Sequence, residues 1–107
     1  MRIATFDSMA FCGYTQITTF FEDFSIADNF GVKAIRDTYK RAFNGWKSDY
    51  KYLTELVMVL NWKLWQHYRE GNEKYQKVYT ELWEKTDLYA RENLKDEELG
   101  YFYRVTD

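Results

Sequence analysis

From residue 19 onward, apolar side chains recur every three or four positions, the period of helices with one face turned inward. Val32, Ile35, Tyr39, Ala42, Phe43 and Trp46 share one stripe, with mostly charged residues between them, and predict a helix over 32–46. Leu53, Leu56, Val57, Leu60, Leu64 and Tyr68 do the same for 49–69, with Ser48 as the N-cap. Tyr75, Val78, Tyr79, Leu82, Trp83, Tyr89 and Ala90 mark a helix over 73–94. A first helical piece covers 20–30, where Thr19 with Glu22 and Ser25 with Asp28 fit capping boxes. Asp96 caps a short last helix over 97–104. Gly31 separates the first two helices, and Asn44-Gly45 marks the frayed end of the second. Gly71-Asn72 is a turn so tight that the helices on either side must form an antiparallel hairpin. The expected architecture is therefore all-α, a small helical bundle with a central antiparallel helical hairpin. Residues 1–18 mix Gly, Ser and Thr with aromatics and show no helical period. They are expected to form a loosely ordered N-terminal arm, disordered or with short strands near 3–6 and 11–14, ahead of one domain over 19–107.

The helix over 49–69 departs from a simple bundle because it is apolar on two sides. Met58, Trp62 and Trp65 lie away from its leucine stripe, with Val59 and Tyr52 on the flank. Either this helix is central and its neighbours cover the second face, or that face is a patch for a partner or a second copy. In the second reading Met58, Trp62 and Trp65 are the anchors, with Tyr52 and Lys63 at the rim. Basic residues also segregate: Lys33, Arg36, Lys40 and Lys47 share a flank of the helix over 32–46. They read as an ordinary solvated flank or as a contact for phosphates or an acidic partner.

A length of 107 residues means one domain and a modest core. Four Trp, ten Tyr and eight Phe enlarge that core, since each ring buries roughly 150–250 Å². The net charge of −2 argues against a general nucleic-acid binder, which is usually strongly basic. Cys12 is the sole cysteine, which rules out an intramolecular disulfide and fits a reducing cytoplasm. No apolar run approaches about 18 residues, so no membrane span is expected. The first 18 residues make a poor signal peptide.

Reactive constellations are scarce in the sequence. His67 is the single histidine, at the edge of a stripe, and reads as a packed, hydrogen-bonded side chain. A di-iron bundle would need Glu-x-x-His on two helices, and Leu64 stands three before His67. Glu70 with Glu73, and Glu84 with Asp87, have spacings seen in magnesium sites, but the first pair straddles a turn and Glu84 faces solvent. Asp23 and Asp28 are expected to cap the following helix, and Cys12 lacks an activating neighbour. Thr86 and Asn93 are the polar members of their stripe, suited to setting register between helices. The glycines are scattered singly and form no phosphate-cradling loop. No enzyme, cofactor or metal is predicted.

The strings FFEDFSIAD (20–28), AIRDTYKRAF (34–43), YLTELVMVLNWKLW (52–65), YTELWEKTDLYARENL (79–94) and EELGYFYRVTD (97–107) lie in a span from about Thr19 to the C-terminus, about four-fifths of the chain. In them the chain resembles a family of small proteins encoded by phages and mobile elements of Gram-positive bacteria, with no assigned activity. That resemblance implies a cytoplasmic protein acting on a bacterial host protein, as an inhibitor or modulator of a CRISPR-type defence or a replication protein, by steric occlusion. The expected function is a non-catalytic protein-binding module, with a homodimer as a further possibility. The alternatives are a binder of nucleic acid or an acidic surface through the basic flank, and a small carboxylate–metal bundle hydrolase.

Overall fold

In a computed structural model, residues 16–106 are described, and they form five helices with no strand among them. These are α1 (Gln16–Asp28), α2 (Val32–Trp46), α3 (Tyr50–Glu70), α4 (Glu73–Asn93) and α5 (Asp96–Thr106). The all-α bundle is as the hydrophobic period predicts. Residues 1–15, with Cys12, lie outside the described residues, and so does most of the expected arm. Its last three residues, 16–18, are already helical.

The helix α3 is the centre of the molecule. It packs most extensively on α4 across the hairpin, then on α1, α5 and α2. Every residue from Leu53 to Asn61 is buried, which no one-sided helix could achieve. This explains its two apolar faces: the leucines meet α4, while Phe20 and Phe24 of α1 join Met58, Val59 and Leu60 in the main core. A smaller cluster gathers Leu53, Val57, Ala90 and Phe102 where α5 folds back over α3 and α4.

The helix ends have identifiable causes. Gly71 terminates α3 in the left-handed region (φ 75°), and its N–H returns to the carbonyls of His67 and Tyr68. Gly31 opens α2 at φ 103° and ψ −177°, a conformation essentially reserved for glycine. The N-cap of α3 is Asp49 rather than Ser48, with Oδ1 accepting from the Lys51 N–H at 3.0 Å. Asn72 precedes α4 without a side-chain cap, because its amide is spent on His67 and Glu70.

Both expected capping boxes in the first helix are absent as starts, since Thr19 and Ser25 lie inside α1. The start moved upstream because Ile17 belongs to the buried stripe of Phe20, Phe24 and Ala27. A side chain from α3 serves as cap there: the Ile17 N–H donates to Glu55 Oε1 at 3.2 Å.

Candidate functional site

The polar face of α2 is flanked by two grooves. Between α1 and α2 runs a groove of about 260 Å³, floored by Ile26, Ala27, Phe30 and Ala34 and edged by Asp23, Asp37 and Arg41. Ile26 and Phe30 are the notable members, 58% and 76% exposed. The end of α1 and the turn into α2 hold them there. Phe20, Phe24 and Ala27 turn the other face of α1 inward, and Phe30 sits in the turn, its N–H bonded to the Ala27 carbonyl at 2.9 Å. Between α2 and α4 lies a second groove of about 400 Å³ over Tyr39, Phe43 and Leu82. Lys33, Arg36, Lys40 and Lys85 line it, with Asn44 and the carboxylates of Asp37 and Glu81.

The basic flank predicted from spacing is therefore present, though unevenly balanced. At its N-terminal end Lys33 pairs with Asp37 at 2.9 Å, and Arg36 grips Glu81 with two hydrogen bonds of 3.1 and 3.0 Å. These pairs raise the Arg36 pKa and lower those of Asp37 and Glu81, chiefly through the hydrogen bonds. Toward the C-terminal end, Lys40, Arg41, Lys47 and Lys85 have no carboxylate within ion-pair distance among the described residues. Two of these ammonium groups rest over aromatic rings, Lys47 5.8 Å from the centre of Phe43 and Lys85 5.9 Å from that of Tyr39.

The anchor set expected on α3 needs correction. Met58 and Lys63 are each 1% exposed and are interior residues, because α1 lies across that face. Trp62 is half-buried against Phe21, with ring centres 5.1 Å apart. Trp65 is half-buried edge-on to the exposed Tyr68, and Tyr52 is half-buried as well. Sequence reasoning passed over Ile26 and Phe30. The signal was present: Ile26 lies roughly 200° around the helix from Phe24, on the face opposite the buried stripe.

One cluster has the composition of an active site. Asp28, at the end of α1, receives Lys63 Nζ at 2.7 Å and His67 Nε2 at 2.9 Å on Oδ2. The Tyr79 hydroxyl donates to Oδ1 at 2.6 Å, and that of Tyr75 to the Asp28 carbonyl at 2.9 Å. Lys63 spends its other donors on Gln66 and Ser25. The Asn72 amide N–H donates to His67 Nδ1 at 3.2 Å, so the proton of a neutral ring sits on Nε2, toward Asp28. Burial and the Asp28 carboxylate push the Tyr79 phenol far above its ordinary range, so it remains a donor. Both imidazole nitrogens are thus engaged, the ring lies between Tyr75 and Tyr79, and neither described groove is lined by His67. The arrangement joins α1, α3 and α4 and leaves neither nitrogen of the imidazole free. His67 is the packed, hydrogen-bonded side chain that the sequence suggests.

Thr86 bonds Tyr39 of α2 at 2.7 Å and so links two helices, whereas Asn93 is exposed and bonds only its own helix. Glu55 is fully buried, and burial pushes its carboxyl up to about 7 against the opposing hydrogen bond from Ile17. Among the described residues, no group of three or more His, Cys, Asp or Glu side chains is placed to hold a metal ion. No helix among them is long and apolar enough to cross a membrane. No family model, curated protein or solved structure matches the chain.

Proposed function

We propose that the chain is a non-catalytic protein-binding module whose contact surface is the outer face of α2, with Ile26 and Phe30 as its apolar anchors. The observation that carries this reading is the exposure of Phe30 beside Ile26 over a shaped groove. Single exposed apolar residues are common, but an exposed aromatic next to a second large apolar side chain, edged by charge, has the anatomy of an interface core and rim. The module would act on a bacterial host protein by steric occlusion. That the host protein belongs to a defence or replication system follows from the sequence resemblance alone.

Phe30→Ser tests the reading, with Leu88→Ser as the control, since Leu88 is also exposed but lies on α4 away from both grooves. Both variants should keep wild-type stability to within about 0.5 kcal/mol, because neither opens a core cavity. In capture from a Gram-positive lysate with quantitative mass spectrometry, a partner should be retained by wild type and Leu88→Ser and lost by Phe30→Ser. Equal retention by all three would remove Phe30 from the interface and sink the reading.

A further inference from the structure

Resting on the protein-binding reading, we infer that the docking element of the partner is an acidic amphipathic helix, laid along α2 with a bulky apolar side chain between Ile26 and Phe30 and a row of carboxylates over Lys40, Arg41 and Lys85. The argument begins with charge. The chain carries −2 overall, yet α2 and its C-cap contribute Lys33, Arg36, Lys40, Arg41 and Lys47 against the single carboxylate of Asp37. Asp37 and Glu81 make their direct ion pairs with Lys33 and Arg36, and reach Lys40, Arg41 and Lys85 only at longer range. The positive end of the ridge is therefore local and exposed, and among the described residues its cations form no direct ion pair.

The helix macrodipole explains some of this, since cations near the C-terminal end of α2 meet its negative pole. It does not explain Lys85, which comes from α4 and faces the same groove. The aromatic floor under Lys85 and Lys47 favours ammonium groups standing over it.

Spacing then selects the form of the occupant. Lys40 and Asn44 lie one helical turn apart beside Arg41, so a carboxylate and a polar side chain four residues apart on a facing helix come into register with them. Position fixes the orientation. Asp23 stands on the far lip of the apolar groove, so the acidic flank of the partner lies toward α4 rather than toward α1. A nucleic acid fits less well, because a continuous phosphate string following α2 would run into Asp37 and Glu81, whereas the carboxylates of a peptide are discrete.

The test uses the full chain, uniformly ¹⁵N-labelled, and synthetic helical peptides of about 16 residues, long enough to hold some helix alone. One peptide carries Leu and Phe on one face and Glu on the other, the second replaces Glu by Lys, and a single-stranded oligonucleotide is the third probe. The Glu peptide should shift amide resonances of α2 and of residues 26–34, and bind more weakly as salt rises. Lys40→Glu with Arg41→Glu should weaken it by about tenfold or more, and Phe30→Ser should weaken it independently. Equal or tighter binding of the Lys peptide would overturn the acidic partner while leaving a protein-binding module standing. No shift with either peptide would overturn it as well. Oligonucleotide binding abolished by the charge reversals and indifferent to Phe30→Ser would overturn both the acidic helix and the protein-binding reading.

Discussion

Asp28 shows how one carboxylate can join three helices. Its partners Lys63, His67 and Tyr79 lie 35 to 51 residues away in sequence, and Lys63 is 1% exposed. An isolated buried ammonium is costly, so Asp28→Ala is expected to lose about 3–5 kcal/mol of stability in urea denaturation. Lys33→Ala, which breaks an exposed pair one turn apart, should change it by less than about 1 kcal/mol. Sequence reading placed Asp28 as a cap for the next helix, because local spacing shows only local partners. His67 was legible as a packed residue, but the carboxylate on which it packs was not. The same limit hid the interior role of Lys63, a residue type rarely buried unless paired.

At the scale of elements, boundaries were legible where a chain-intrinsic signal sets them and obscure where a tertiary contact does. The range of α2 follows from its stripe and from Gly31, and the hairpin of α3 and α4 from Gly71. The start of α1 was read too late because its first turn is held by Glu55, a residue of α3. Met58 and Lys63 are interior rather than surface residues for a related reason. A helix with two apolar faces, as in α3, signals a central position when other helices supply enough apolar surface to cover it, and α1 does so with Phe20, Phe21 and Phe24. Gly31→Ala tests the α1–α2 junction. A side chain has space there, but the backbone does not suit an L-residue, so a loss of about 1–3 kcal/mol is expected from thermal or chemical unfolding.

Across the whole molecule, stability should depend on pH through Glu55. Its carboxyl titrates at about 7 in the folded chain against 4.5 for an unperturbed one. The folded state therefore holds the proton more tightly. The stabilisation is complete below about pH 4.5 and is lost as pH rises through 7, by at most about 3.5 kcal/mol at roughly 1.4 kcal/mol per unit. Glu55→Gln keeps an acceptor for the Ile17 N–H and removes the titration. Urea midpoints at pH 5 and pH 8 should differ less in that variant than in wild type, and the variant should be the more stable of the two at pH 8. An unchanged difference between the two midpoints would show that Glu55 is not the titrating group. The cluster at Asp28 has a separate consequence at this scale. Phe30 follows two residues after a position clamped from two other helices, so its ring is presented from a rigid base. Docking onto such a preorganised knob forfeits little conformational entropy, and a small domain can then grip a partner firmly through a modest contact area.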